Sequence, residues 1–284
     1  MTKTTDKMEQ AAQQIIALMK EHGTNWAKPW TGIGGVHNAK SKKPYRGSNI
    51  FWLSLSAHAQ GFESNEWATF KQWKELGASV KKGEKSTPIF FFSVLERDNK
   101  ETGEKDKFGF WKSYSVFNAA QVEGYETAKP ATQFDAIKAA ESYVGNSGAE
   151  IRNGGDRAYY HPALDYIGMP PREAFESATG YYSTLLHELT HWTGHKSRCD
   201  RDLTGGFGSE NYAKEELIAE CGAALLCMKL GVEKQATPEH AKYLNNWMQA
   251  IGNDYKVIFT AISKAQKAID HLDSLQESIA IAAE

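Results

Sequence analysis

The stretch His187-Glu188-Leu189-Thr190-His191 constrains the fold more than any other in the chain. Positions four apart lie on one face of an α-helix, so His187 and His191 can hold one metal ion between them. Glu188 then stands beside the ion, where a carboxylate can take a proton from a bound water. Two imidazoles leave room for a third protein ligand and a water, the form of a catalytic zinc site. The flanks also argue for a helix. Tyr181, Tyr182, Leu185, Leu186 and Leu189 give the segment an apolar face, and Gly194 follows as a stop, which predicts a helix from about Gly180 to Trp192.

The third ligand has two possible sources. The pattern His-Glu-x-x-His-x-x-Gly-x-x-His would supply a histidine. Here Gly194 is in register, but the last position is Ser197, and His195 comes two residues early. The alternative is a carboxylate from a second helix, expected over Asn211–Leu230, which carries Glu215-Glu216-Leu217-Ile218-Ala219-Glu220. Glu216 and Glu220 share a face, while Glu215 points about 100° away. Glu216 is favoured as the ligand over Glu220. Glu220, one turn on, would then accept the free N–H of a ligating histidine. Zinc suits such a donor set, and manganese or cobalt is also accepted. Solvated helix acids are the bland reading, opposed by the apolar run Ala219, Gly222, Ala223, Leu225 and Leu226. The intervening loop contains Gly205-Gly206-Phe207-Gly208, which could shape the cleft or serve as plain linker. Arg198 and Arg201 could hold a substrate or pair with Asp200 and Asp202. Tyr182 and His195 are the candidates for stabilising an oxyanion.

Charge divides the chain. Residues 1–130 hold 19 Lys/Arg against 14 Asp/Glu, and the remainder 14 against 21, within a net charge of −2. A basic half joined to an acidic half suggests two domains with different partners. The stretch Glu126–Gln133, with Pro130 and no large apolar residue, reads as the linker, giving domains over residues 1–128 and 134–284.

The first half begins with an expected helix over Glu9–His22 and a Trp/Pro-rich loop. Helices follow over Ile50–Ala59, capped by Asn49, and over Trp67–Leu76. The period then becomes that of strands, at Ala78–Val80, Thr87–Leu95 and Phe108–Phe117, with a polar hairpin tip over Asp98–Lys107. The first domain is therefore α+β. In the second, a helix over Phe134–Val144 and a strand near Ile151 precede a hairpin of Ala158–His161 and Asp165–Met169. The expectation is a mainly helical domain with a small antiparallel sheet. A helical, interrupted C-terminus over Pro238–Ala283 packs behind the metal helices. Cys221 and Cys227 read as buried thiols. No run approaches the roughly 18 apolar residues of a membrane span, and the polar N-terminus has no secretory core. A cytoplasmic protein without a membrane partner is expected.

Rings set among lysines suit single-stranded nucleic acid, because bases stack on the rings while cations follow the phosphates. The candidates are Trp26, Trp30, Lys42, Lys43, Tyr45, Arg46, Lys81, Lys82 and Lys85. The competing reading puts the rings in a core and the lysines on solvated turns.

Several segments, in order, resemble the ArdC-type antirestriction proteins, whose N-terminal domain is shared with TraC-type plasmid primases. In the first half these are Pro44-Tyr45-Arg46-Gly47-Ser48-Asn49, Thr69-Phe70-Lys71-Gln72-Trp73-Lys74-Glu75-Leu76-Gly77, Val80-Lys81-Lys82-Gly83-Glu84-Lys85-Ser86-Thr87-Pro88 and Val116-Phe117-Asn118. In the second they are Tyr181 to His195 and Glu215 to Glu220. The resemblance implies an N-terminal single-stranded-DNA-binding domain and a C-terminal zincin-like metallopeptidase domain of gluzincin type, with Glu216 as third ligand. It also implies protection of incoming plasmid DNA from host restriction during conjugation. Two alternatives stay open. One is a peptidase acting on a host restriction-system protein or another peptide, with DNA binding for localisation only. The other is a DNA-binding shield whose metal is structural. A nuclease fits less well, since no acidic cluster suggests a two-metal site.

Overall fold

The computed structural model describes residues 9, 10, 13, 16, 17, 35–98, 105–127, 133–206, 209–233 and 256–282. The expected helix over Glu9–His22 is represented by Glu9, Gln10, Gln13, Ile16 and Ala17, all helical. Trp26 and Trp30, the hairpin tip over residues 99–104, residues 128–132 of the linker and the stretch from Pro238 to Tyr255 lie outside the described residues. The chain divides into two compact units, Met1–Gln14 with His37–Thr127 and Ile15–Val36 with Ala128–Glu284.

The first unit is α+β. Strands β1 (His37–Asn38), β2 (Glu66–Ala68), β4 (Thr87–Asp98) and β5 (Lys105–Asn118) form a sheet in the order β1-β2-β5-β4. A second pair joins β3 (Ser79–Val80) to β6 (Val122–Glu123). Helix α1 covers Ser48–Gln60 and α2 covers Phe70–Glu75.

Two local expectations gave way to tertiary structure. Trp67 and Ala68 are strand, not helix, and pair with Asn118 and Phe117. The helical spacing of Trp67, Phe70 and Trp73 is real, but Thr69 starts the helix by forming a capping box with Gln72. Phe70, on the apolar stripe, is left 60% exposed. The second case is Asn49. The cap of α1 is Gly47, at φ 57°, and no side chain caps the helix. Asn49 is buried and grips strand β4 instead. Its Nδ2 donates to the Phe90 carbonyl at 2.7 Å, and the Phe90 N–H donates to its Oδ1 at 2.8 Å. Asn49→Ala strands both backbone groups, and each buried unsatisfied group costs about 1–3 kcal/mol. A loss of about 2–4 kcal/mol is expected for this unit by urea denaturation. A loss under about 1 kcal/mol would mean that water replaces the amide.

The core of this unit gathers Ala68, Trp73, Ala78, Ala119 and Val122, and the Trp73 indole donates to the Phe117 carbonyl at 3.0 Å. These contacts lock α2 onto the root of β5.

The second unit contains helices α3 (Gln133–Asn146), α4 (Ala178–Trp192), α5 (Glu210–Leu230) and α6 (Lys256–Ala282). Its sheet, β7 (Glu150–Asn153), β8 (Tyr159–His161) and β9 (Tyr166–Met169), has the order β7-β9-β8. The β8–β9 hairpin is antiparallel, and β7 runs parallel to β9 on its other side. Ile167 and Met169 are fully buried beneath it. Helix α5 is buried on every side from Glu215 to Met228, as a central helix is, because it packs against α3, α4 and α6. Cys221 and Cys227 are buried on it. Ile258, Ile262 and Ala265 face inward from α6. No described helix is long and apolar enough to cross a membrane.

Candidate metal centre

Helix α4 begins at Ser177, whose hydroxyl accepts the Gly180 N–H at 3.0 Å. It ends at Thr193. Gly194 follows for reasons of space. A Cβ there would lie 2.8 Å from Leu203 Cδ2 and 2.9 Å from the His191 carbonyl. Helix α5 starts at Ser209, which caps the Tyr212 N–H, and stops at Gly231 in the left-handed region. The two helices meet closely where Gly222 faces Thr190, since a Cβ on Gly222 would sit 2.4 Å from Thr190 Cγ2. That close approach brings the glutamates of α5 to the histidines of α4.

Four carboxylates and two imidazoles converge there. His187 is 2% and Glu188 7% exposed, with Glu216 and Glu220 also buried. The Nε2 atoms of His187 and His191 are 3.2 Å apart, and Glu216 oxygens lie 3.6 Å from the first and 3.5 Å from the second. One donor atom from each of His187, His191 and Glu216 fits within a 4.8 Å cluster. Such a trio could hold a metal ion. Glu220 Oε2 lies on the far side of His187, 3.6 Å from Nδ1.

The helical wheel turns Glu215 away from the face of Glu216, yet its Oε1 lies 3.1 Å from His191 Nδ1. The imidazole has two nitrogens pointing to opposite sides, so a residue about 100° round the helix from Glu216 can still reach the second one. Since a carboxylate only accepts, Nδ1 carries the proton, and Nε2 is the nitrogen turned toward Glu216. Arg201 fastens Glu215. Its Nε and Nη2 donate to Oε2 and Oε1 at 3.0 and 2.8 Å. The same guanidinium donates to Thr193 Oγ1 at 2.8 Å and to the Thr190 carbonyl at 2.6 Å. Arg201 therefore pairs with Glu215, not with a neighbouring aspartate. Arg198 likewise pairs with Asp165 and stacks 3.8 Å over Trp192. Neither arginine is open to a substrate. The only sequence signal for Glu215 is its place among three glutamates that run into the apolar stretch of the helix, and Arg201 has none.

The field of these carboxylates calls for positive charge. Burial pulls the His191 imidazolium down, but Glu215 and Glu216 outweigh it and hold it up at about 10. Burial opposes the His187 charge too, and Glu216 and Glu220 overcome it. Glu216, despite burial, is held well below the usual carboxylate range by the two imidazoles.

The cluster forms one wall of a cleft of about 280 Å³. Glu188, His187, His191 and Glu216 line it together with Tyr159, Tyr160 and Tyr212, and the loop contributes Asp202, Leu203 and Thr204. Tyr182 is not among the lining groups. Its ring lies on the other side of α4, with the Arg172 guanidinium 5.8 Å over it. His195 bonds to Ser197. Neither expected oxyanion group faces the cleft, which offers its own tyrosines instead.

The DNA-contact candidates of the first unit fall into two sets. All six cations, Lys42, Lys43, Arg46, Lys81, Lys82 and Lys85, are exposed, and Tyr45 is not. Tyr45 is buried, its hydroxyl taking the Asn38 amide at 3.2 Å, so its ring cannot receive a base. Lys42 is tied to Glu66 at 2.9 Å and to Tyr125, and Lys81 to the Ala120 carbonyl.

A helix bearing both imidazoles, answered by a carboxylate from the next helix, defines a zincin-like domain. Accordingly, residues 138–264 match the family of zincin-like metallopeptidases, and residues 5–117 match the N-terminal domain of anti-restriction factor ArdC. The uncharacterized protein y4eC of Sinorhizobium fredii is 38% identical, over 96% of this chain and 93% of its own. DNA primase TraC of Escherichia coli is 38% identical over 95% of this chain, which spans only 27% of the primase. The likeness to the primase thus extends beyond the first half. The crystal structure of metal-free antirestriction protein ArdC from plasmid R388 superposes with a TM-score of 0.80, at 39% identity, over 95% of this chain and 98% of that one. Its Mn(II)-bound form gives 0.75 at 38% identity, over 94% and 97%. The chain belongs to the ArdC family of antirestriction proteins.

Proposed function

We propose that this protein binds single-stranded DNA through its first unit and carries a working metallopeptidase centre in its second, shielding incoming plasmid DNA from host restriction during conjugation. The observation that carries the second part is the convergence of His187, His191 and Glu216 on the wall of an open cleft, beside Glu188. The donor set fits a divalent cation. Two nitrogens and a carboxylate oxygen face one another among four buried carboxylates, and the plasmid relative binds Mn(II) at 38% identity. Zinc is the ion these ligand types favour. The open side of the site argues for catalysis over a structural metal, which is enclosed by four protein ligands.

A bound cation would polarise a scissile carbonyl and make a nearby water more acidic. The protein's own part is proton handling and alignment. The Glu188 carboxylate takes the water's proton and passes it to the departing amine nitrogen. Glu215 and Arg201 hold the His191 ring so that Nε2 faces inward. The tyrosine-lined wall accepts a peptide substrate, which could be part of a host restriction system. DNA binding is supported by the match to the ArdC N-terminal domain, by the likeness to a DNA primase and by the exposed Lys43, Arg46, Lys82 and Lys85.

Glu188→Gln is expected to bind Mn(II) or Zn(II) as the wild type does by calorimetry. It should lose about 10²–10⁴-fold in cleavage of a peptide library read by mass spectrometry. Unchanged cleavage would remove Glu188 from the mechanism. Plasmid protection that survives in a cleavage-dead variant would assign protection to DNA binding alone.

A further inference from the structure

Strand β5 breaks the alternation expected of a half-buried strand. Every residue from Gly109 to Ser115 is exposed, and three of the seven are aromatic. Its link to β2 is confined to Phe117 and Asn118, and outward of these it pairs with β4 alone among the described strands. The two therefore form a ribbon, rooted by the Asn49–Phe90 clamp and open beyond it.

One face of this ribbon is regular. Directly opposed residues share a face, which gives three successive rows: Phe110 with Ser93, Phe91 with Lys112, and Tyr114 with Ile89. Each row presents one open ring, exposed by 38% at Phe110, 43% at Phe91 and 49% at Tyr114. Rows two residues apart are about 7 Å apart along the ribbon. Phe91 and Tyr114 meet edge to face, with centroids 5.6 Å apart and planes at 75°, so the contact takes up at most one of their four ring faces. Lys112 lies among the rings, its Nζ 5.2 Å from the Phe110 centroid. It is also the only charged residue in Thr87–Leu95 and Phe108–Asn118, with no acid to repel an anion.

We propose that this face is the stacking surface for single-stranded nucleic acid, with bases on Phe110, Phe91 and Tyr114 and a backbone phosphate on Lys112. The inference rests on the DNA-binding reading above and locates it away from the lysine turns. Single strands are specified because only they offer base faces to a ring, and the rings carry no sequence code. A protein partner would call for an apolar patch free of charge; here a cation, Lys112, stands among the rings.

The test is anisotropy of the full chain with a labelled oligothymidine strand and a matching duplex, at two salt concentrations. The wild type should prefer the single strand. The Phe91→Thr/Phe110→Thr/Tyr114→Thr variant should lose at least tenfold in affinity at both salts, with an unchanged circular dichroism spectrum. Lys112→Gln should flatten the salt dependence by roughly one phosphate contact. Photocrosslinking of wild type to an iodouracil strand should mark the peptide spanning Phe108–Phe117, a readout independent of any variant's folding. Full affinity in the triple variant, with crosslinks elsewhere, would overturn the ribbon and leave DNA binding standing. No single-strand preference in the wild type would overturn both. A wild-type dimer that the triple variant dissociates, at unchanged DNA affinity, would make the face an interface between copies and overturn the proposal.

Discussion

Arg201→Met is expected to cost the second unit about 3–5 kcal/mol, the usual loss when one partner of a buried ion pair is removed. The guanidinium side chain is 5% exposed and Glu215 is 9% exposed. Water cannot replace the lost partner at either. Without Arg201, Glu215 keeps only His191, and the Thr190 carbonyl and Thr193 hydroxyl lose a donor. Hydrogen exchange at the α4 and α5 amides would read the loss directly. The Arg201→Met/Glu215→Met pair should recover much of it, because two apolar side chains need no partners. A single-variant loss below about 1 kcal/mol would mean that His191 alone balances Glu215. Arg201→Met should also weaken metal binding by about 10–100-fold, the ordinary effect of losing support behind a ligating histidine.

Glu216→Gln is expected to weaken divalent-metal binding by more than the roughly 100-fold that marks the upper range for an outer group. The change preserves volume and removes the charge that faces both imidazoles, at 3.6 and 3.5 Å. Without that charge the Nε2 side keeps two neutral imidazoles, since Glu215 and Glu220 face the Nδ1 atoms of the two rings. Competition against a fluorescent chelator gives the affinity, with Glu220→Gln as the comparison. Glu220 touches the site from behind His187, so its loss should cost about 10–100-fold. Reversed magnitudes would transfer the ligand role to Glu220.

Glu216 and Arg201 differ in how far a local pattern records them. The place of Glu216 opposite the two histidines could be read from spacing, because residues four apart on one helix face have few places to point. Arg201 could not. Nothing local distinguishes it from Arg198, and its role depends on a loop folding back so that its side chain passes between two helices. Glu215 lies between these cases. The helical wheel put it off the ligand face, and only the orientation of the His191 ring, with one nitrogen on each side, made that position useful.

The ribbon teaches the converse. Phe91, Phe92, Phe110, Trp111 and Tyr114 look like core in sequence, since so dense an apolar and aromatic run is that of a buried strand. Their exposure follows from how little of β5 finds a partner beyond β4.

The sequence by itself determined the helices bearing His-Glu-x-x-His and the three glutamates, the main strands and the α+β class. Each of these is recorded in a repeat of two or of about four residues, which local backbone geometry reads directly. Tertiary structure alone decided that Trp67 is strand, that Asn49 clamps β4, that Arg201 fastens Glu215 and that one ribbon keeps its rings in water. Each of those depends on a partner far along the chain, and a local pattern carries no information about which distant group will arrive.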